Sequence, residues 1–261
     1  MKVLLKLGMV LSLALGLGAC SQNNSGEDHL ARIKKDNVLK VGLEGDWQPF
    51  GYEDTDGNLV GYDVEVAQAI AKHLGVEIEI IPTAWDGLLQ GLESGVFDIV
   101  VNGVDVTEER QKTFDFSTPY AYDHAVLIVR EDNNEIKTFE DLNGKTTANS
   151  TGSTYMEIGA SYGAEVKPVD TLAETLNLVE IGQADATINA NTSYIDYMKN
   201  EGGPFKVVTQ TEEATAYAIP LKKGADNTTL LNEINVCIET MQKDGSLAEL
   251  SNKYFGEDLT K

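Results

Sequence analysis

Phe97-Asp98-Ile99-Val100-Val101-Asn102-Gly103-Val104-Asp105-Val106-Thr107-Glu108-Glu109-Arg110 is the stretch whose reading decides the fold. Its apolar start, Phe97 to Val101, is a buried-strand pattern, and Asn102-Gly103 is a turn signal. Thr107 is a good helix N-cap, so a helix starting there aims free backbone N–H groups at whatever lies in front of it. Arg110 adds a planar fork of donors suited to a carboxylate. Strand, turn, capped helix start and Arg together make a candidate carboxylate clamp. On this stretch alone, the commoner reading is an exposed Arg paired with Glu108 or Glu109.

Working back toward the N-terminus, Val38 to Leu43 reads as another buried strand. It runs into Glu44-Gly45-Asp46-Trp47-Gln48-Pro49-Phe50, a loop carrying an acid and two large aromatics. Such aromatics either cap a core or, placed directly after a strand, wall a ligand cleft. Asp54 to Asn58 is a turn. Gly61-Tyr62-Asp63 leads into a helix with Val64, Ala67, Ile70, Ala71 and Leu74 on one face and Gly75 as its stop. Val76 to Ile81 is the next strand. Asp86 is read as the cap of a second helix that buries Leu88, Leu89, Leu92 and Val96. Strand–helix–strand–helix–strand is the signature of a mostly parallel sheet covered by helices. Such sheets place ligands at the carboxyl ends of their strands. The loops at 44–50 and 102–107 both lie at such ends, which strengthens the clamp reading of Arg110.

Beyond Arg110, Phe114 to Tyr120 is a compact aromatic loop, followed by a strand from Ala125 to Arg130. A second βα series then opens. Ser150-Thr151-Gly152-Ser153-Thr154 sits between a strand (145–149) and a helix (154–162), a second helix start able to meet an anion or dipole. A helix around Leu172, Leu176 and Val179, a strand from Asp185 to Ile188, a helix over 193–199 and a strand from Phe205 to Thr209 follow. Ala216 to Leu221 reads as one strand leading back toward the start. The chain ends in helices marked by Leu231, Ile234, Ile238 and Met241, then Leu247, Leu250 and Tyr254. Using the βα pattern twice predicts two lobes.

Length and composition fit one large or two small domains: 261 residues, 42% hydrophobic. Acids outnumber bases 42 to 20, for a formal charge of −22. That field repels nucleic acid and anionic membrane surfaces. Residues 1–19 stand apart. Lys2 and Lys6 flank a run from Leu7 to Leu17 that is too short to span a membrane, an export-signal pattern. It ends Leu17-Gly18-Ala19-Cys20 and turns polar at Ser21, which is similar to a bacterial lipobox and implies cleavage before Cys20 and lipid on its sulfur. Residues 20–36 are then a tether. Cys237, the other cysteine, lies in an apolar helical pattern and is read as a small buried hydrophobe.

With these pieces in place, about residues 37–257 resemble the family 3 solute-binding proteins of ABC importers, which bind polar amino acids. The matching segments are Trp47-Gln48-Pro49-Phe50; Gly61 to Ala71; Thr107-Glu108-Glu109-Arg110 with Phe116-Ser117-Thr118-Pro119-Tyr120; and Gly182-Gln183-Ala184-Asp185-Ala186. The resemblance implies a two-lobe α/β fold of periplasmic-binding-protein type, each lobe a mostly parallel sheet with flanking helices. Lobe one is 37–119 with 218–257, lobe two is 125–212, and the crossing hinge strands lie at 120–124 and 213–217. It places the carboxylate on Arg110 with the Gly103 and Asp105 backbone, the flanking aromatics at Trp47 and Trp85, the first-strand acid at Glu44, and the second-lobe loop at Thr151, Gly152 and Ser153. One departure matters. The family often carries an Asp four residues past Ala186, where it meets the ligand's amine, and position 190 is Ala. Either Glu44 and Asn189 hold the amine, or the ligand is not an ordinary amino acid. Asp185-Ala186-Thr187-Ile188-Asn189 is similar to cystine-binding members, so cystine or a related sulfur compound is the first ligand expected.

The expected function is therefore an extracytoplasmic, lipid-anchored, monomeric binding protein that hands an amino acid to an ABC permease, with no cofactor and no metal. Two other classes compete: an enzyme of dehydratase type on the same fold, and a ligand sensor. Against the enzyme, His29, His73 and His124 fall on the tether, a helix and a lobe connection rather than in the cleft. Against the sensor, no kinase or membrane-spanning segment follows.

Overall fold

The computed structural model describes residues 28–261; the expected signal peptide, Cys20 and the first part of the tether lie outside them. In the first lobe, Val38–Leu43 is the central strand of a parallel sheet, with Glu77–Pro82 on one side and Ile99–Val100 on the other. Leu39, Val41 and Leu43 are fully buried on one face, while Lys40 and Gly42 fall on the other, where the Phe97 ring leaves no room for a Cβ at Gly42. On one face the Tyr62–Leu74 and Thr228–Asp244 helices bury Val66, Ile70, Ile234 and Ile238 against Leu39 and Val41. On the other, the Trp85–Ser94 helix packs Leu88 and Leu92 on Phe97 and Val100.

The second lobe is a five-stranded sheet in the order Glu165–Pro168, Thr146–Asn149, Ala186–Ala190, Ala125–Arg130, Phe205–Gln210. Ala125–Arg130 runs antiparallel to both neighbours, while Thr146–Asn149 is parallel to both of its own. Separate apolar clusters cover the two faces, one around Leu127 and Ile188, the other around Ile128, Leu176 and Val179. Two short strands, Ala121–Asp123 and Thr215–Tyr217, pair antiparallel and carry the chain out to the second lobe and back. Two α/β lobes joined by two crossing strands are thus the architecture.

Several local expectations need correction. His29–Asp36, read as part of a tether, is a helix docked on the first lobe. Asp28 caps it, accepting from the Ala31 N–H at 2.8 Å, and it buries Leu30 and Ile33. His29 and Arg32 bond to the buried Asp98, so His29 is structural but not in a tether. Ala84, not Asp86, precedes the Trp85–Ser94 helix, and Asp86 sits in its first turn. Val96 lies past the Gly95 stop and is half exposed. The single strand expected at 216–221 is two strands, Thr215–Tyr217 and Pro220–Lys222; the second pairs with Phe114–Phe116 in the first lobe. Cys237 is buried in the Thr228–Asp244 helix as expected. Among the described residues, no helix is long and apolar enough to cross a membrane.

Candidate functional site

The site is built where strands of both sheets end, facing each other across the crossing strands. From the first lobe come the segments after Leu43, Pro82 and Val100; from the second, those after Asn149 and Pro168, with Asn189 near the end of its own strand. They enclose about 510 Å³ of empty space, part of it open to solvent.

Glu44 leaves its strand directly into the cleft. Its backbone N–H donates to Asn102 Oδ1 at 2.7 Å, and Asn102 Nδ2 donates back to Glu44 Oε2 at 2.7 Å. This reciprocal pair ties the first and third strand ends together. Burial pushes the Glu44 carboxyl up to about 7; the Asn102 bond opposes that rise, and the neighbouring Asp46 charge adds to it. Asp105, from the loop of the quoted stretch, is also buried. Burial raises it to about 6, against the opposing effects of the Thr154 hydroxyl and the Arg110 charge. Carboxyls poised this way ionise fully when a cation is brought to them.

Arg110 is 8% exposed, so the reading of an exposed Arg paired with Glu108 or Glu109 fails. The helix it begins, Arg110–Thr113, is a single turn, and the Thr107 hydroxyl accepts the Arg110 N–H at 3.2 Å as a cap would. Its Nη1 donates to the Asp105 carbonyl at 3.1 Å, and its Nη2 crosses to the second lobe, donating to the Gly152 carbonyl at 3.2 Å. The guanidinium lies over the Trp85 ring, 5.2 Å from its centre. Two bonds leave most of its five N–H donors unassigned. Arg110 does not itself line the enclosed space; it lies against Trp85 and the Asp105 carboxylate, 3.7 Å from its Nη1, and both of these do line it.

Trp47 forms another wall. It stacks on the buried Phe50 with ring centres 4.2 Å apart and planes 15° from parallel. Gly103 makes this possible: a Cβ there would lie 2.7 Å from two Trp47 ring atoms, and its φ is +49°. Gly103 lines the cleft as expected of its backbone, and its N–H donates to the Tyr120 hydroxyl at 2.9 Å. Tyr120 in turn donates to Asp63 Oδ1 at 2.8 Å. Asp63 is fully buried, which raises its carboxyl to about 7. The relay joins the clamp loop to the start of the hinge.

Of the second-lobe loop, Ser153 faces the cleft while Thr151 and Gly152 are exposed. The Ser153 hydroxyl caps the Thr154–Ser161 helix, accepting from Met156 N–H at 3.1 Å, and donates to the Ser150 carbonyl at 2.7 Å. Gly152 enters through its carbonyl alone. Asn189 lines the cleft, and its side-chain oxygen accepts its own neighbour's N–H, from Ala190, at 2.9 Å. Asp46, Ser150 and Thr154, from the two loops the sequence picked out, also line the cleft, and sequence reasoning missed Tyr155 and the Asp170-Thr171-Leu172 segment beside them. Thr154 donates to the Asp105 carboxylate, and Tyr155 Oη lies 3.1 Å from Tyr217 Oη; both contacts cross between lobes or onto the hinge. The missed signal at 170–172 is the box Thr171-x-x-Glu174, whose two side chains cap each other's backbone N–H groups directly after a strand. His73 and His124 lie outside the cleft lining, His73 on Glu233 and His124 on the Thr211 carbonyl.

Opposed strand ends, a buried Arg, buried carboxyls and aromatic walls between two hinged lobes define a protein that encloses a small polar ligand. The chain belongs to the bacterial extracellular solute-binding proteins, family 3, which it matches over residues 39–257. It is 37% identical to the L-cystine-binding protein TcyA of Bacillus subtilis (strain 168), the match covering 100% of this chain and 99% of that one. Among solved structures, an ancestral arginine-binding protein bound to arginine superposes with a TM-score of 0.78 at 38% identity, covering 84% of this chain and 99% of that one. The L-cystine solute receptor of Neisseria gonorrhoeae in its unliganded open conformation, also 38% identical, superposes with only 0.60, covering 90% of this chain and 100% of that one. In this chain, Arg110 bonds the Gly152 carbonyl and Asp105 accepts from Thr154, both across the two lobes.

Proposed function

We propose that the protein captures an L-amino acid, cystine first among them, between its closing lobes and delivers it to an ABC permease from the extracytoplasmic face, held to the membrane by lipid on Cys20. The carrying observation is Arg110: a buried guanidinium with unassigned donors, reaching from the first lobe to the Gly152 carbonyl of the second. It receives the ligand's α-carboxylate. Contacts from both lobes then make the ligand bind the closed state better than the open one, which is what drives closure. The α-ammonium goes to the buried carboxylates Glu44 and Asp105; Asp105 takes the role that Ala190 cannot, from the opposite lobe. Asn189 contributes less than its position suggests, since its side-chain oxygen is already engaged with Ala190. Trp47 and Trp85 flank the ligand, and Ser153 contributes through the loop it caps. The lobes divide at 120–124 and 213–217, where the paired connecting strands run.

Cystine as first ligand is supported by the cystine-binding relative that spans the full chain. The protein acts as a monomer, because one chain supplies both walls of the cleft, and it binds its ligand without turning it over. A thermal-shift screen of the purified protein against L-cystine and the common L-amino acids tests the reading. A ligand at ~100 times its Kd stabilises by about 2.7 kcal/mol. A screen in which nothing raises the melting temperature refutes it, and mass spectrometry of a hit recovered chemically changed would move the function to catalysis.

A further inference from the structure

Each crossing strand is held by one lobe at one end and by the other lobe at the other. On the outgoing strand, Tyr120 is held by the first lobe: its hydroxyl bonds Gly103 and Asp63, and its carbonyl accepts from the Tyr62 hydroxyl at 2.9 Å. Asp123 is held by the second. Its buried carboxylate accepts from the Thr192 hydroxyl at 2.6 Å and the Thr192 N–H at 3.2 Å, capping the Asn191–Asn200 helix, where Ala190 at the cap position has no acceptor side chain. On the return strand, the Thr211 N–H donates to the Ala125 carbonyl of the second lobe at 2.9 Å, and the Thr211 hydroxyl accepts from the Ala125 N–H at 3.2 Å. Further on, the Ala216 carbonyl accepts from Val106 N–H at 3.2 Å, and the Ala218 N–H donates to the Val104 carbonyl at 3.0 Å, both in the first lobe. A change of lobe angle is therefore taken up by Ala121 and Tyr122 on one strand and by residues 212–215 on the other, since hinges are the few residues that absorb the backbone rotation.

A third segment grips this pivot. Past the Ser246–Phe255 helix the chain runs back beside the outgoing strand, and the Leu259 carbonyl accepts the Tyr122 N–H at 2.8 Å. The segment is rooted in the first lobe. The fully buried Ser251 hydroxyl donates to the Glu257 carbonyl at 2.6 Å and accepts from the Leu259 N–H at 2.8 Å, fixing the segment on both sides of Asp258. The Leu259 side chain packs against the first-lobe core. Toward the second lobe, Gly256 and Glu257 face the Asn191–Asn200 helix across a groove. The same arrangement has the lobes bonded to each other at Arg110 and Asp105.

Resting on the reading of the protein as one whose lobes close on an amino acid, we propose that residues 257–261 are a strap that holds the hinge in the arrangement in which the lobes are bonded across the cleft. Opening turns the peptide units at Tyr122, and its N–H then leaves an acceptor that is fixed to the first lobe. The strap thus favours the binding-competent arrangement before any ligand arrives, and ligand affinity carries that bias. Losing one net hydrogen bond shifts an equilibrium about fivefold.

The test compares the wild type with two variants that leave every cleft residue in place. Deletion of residues 258–261 removes the acceptor itself, and Ser251→Ala removes the two bonds that root it. Both should show faster hydrogen exchange at the Tyr122 amide than the wild type, a larger radius of gyration without ligand by small-angle X-ray scattering, and a Kd for L-cystine raised about two- to fivefold by calorimetry. The Tyr120 amide, bonded to the Tyr217 carbonyl, should exchange as in the wild type. Faster exchange at Tyr122 with an unchanged radius of gyration and Kd would show that the segment covers the strand without setting the lobe angle, and overturns the strap. Unchanged exchange overturns it too, and tighter binding reverses its sign. If the deletion variant fails to fold, Ser251→Ala decides. A wild type that does not bind L-cystine counts against the proposed ligand, and the two ligand-free readouts then decide the strap by themselves.

Discussion

Replacing Glu44 by Gln should act on stability and on binding in opposite directions. In the folded protein the Glu44 carboxyl is raised from 4.5 to about 7, with burial as the largest cause. Between those two values the native state holds a proton that the unfolded chain has released. Stability therefore falls as pH rises through this window and stays lower above it. At about 1.4 kcal/mol per unit, the wild type at pH 8 carries roughly 3 kcal/mol of strain from this one group that is absent near pH 4.5. A Gln side chain keeps the shape, and its oxygen can still accept from Asn102 Nδ2, the bond now made at 2.7 Å. It has no proton to lose. Glu44→Gln should thus match the wild type near pH 5 and exceed it near pH 8 by up to about 3 kcal/mol in urea unfolding without ligand. At the same time it should weaken an ammonium-bearing ligand by roughly 1.5–3 kcal/mol, the range for a hydrogen bond to a charged group. Stability given up for a poised site is a familiar arrangement. Unfolding curves whose pH dependence is the same in the variant as in the wild type would refute the reasoning about Glu44.

Gly103→Ala should cost roughly 1–3 kcal/mol of stability from overpacking against Trp47, with a changed near-ultraviolet circular dichroism signal and weaker ligand binding; an unchanged Trp signal would show that Trp47 does not depend on Gly103. Tyr120→Phe leaves the buried Gly103 N–H and Asp63 carboxyl without their shared partner and should lower stability by about 1–3 kcal/mol in denaturant unfolding; wild-type stability would mean that the relay is not what holds the loop. Asp105→Asn keeps an acceptor for Thr154 but removes the charge, and should weaken amino-acid ligands tenfold or more by calorimetry, against an unchanged Kd if the ammonium is held elsewhere. Cys20→Ser should move the protein from the membrane fraction to the soluble fraction with its ligand affinity intact; unchanged fractionation would count against lipid on Cys20, since stable holding needs about two acyl chains.

The βα alternation of the first 120 residues was legible because its apolar spacing is regular and its stops are glycines. Val38–Leu43 and Tyr62–Leu74, with Gly75 as its left-handed stop, lie where the pattern puts them. The helix at 29–36 was missed because Leu30 and Ile33 are its only large apolar residues in a polar, lysine-bearing segment; its place is set by long-range bonds to Asp98 and Asn227. Glu44, Asp105 and Trp47 were legible as groups following strand ends. What they do was not, because it depends on partners far along the chain. Asn102 read as a turn residue and is the counterpart of Glu44. Gly103 read as a turn residue with a part in the clamp backbone, and its making room for Trp47 depends on a ring far back along the chain. Asp46 of the first lobe and Asp196 of the second line one groove, a pairing no local pattern encodes.

The most direct test of the account is calorimetric titration of the purified protein and its Arg110→Ala and Arg110→Lys variants with L-cystine, or with the amino acid that most raises the melting temperature. The account predicts saturable binding of one ligand per chain in the wild type and a loss of roughly 2–5 kcal/mol in Arg110→Ala, the cost of truncating one partner of a buried charge pair. Arg110→Lys should recover only part of that loss, because an ammonium cannot repeat the bidentate geometry. Wild-type affinity in Arg110→Ala, with the melting temperature of the free protein unchanged, would contradict the claim that this guanidinium holds the ligand.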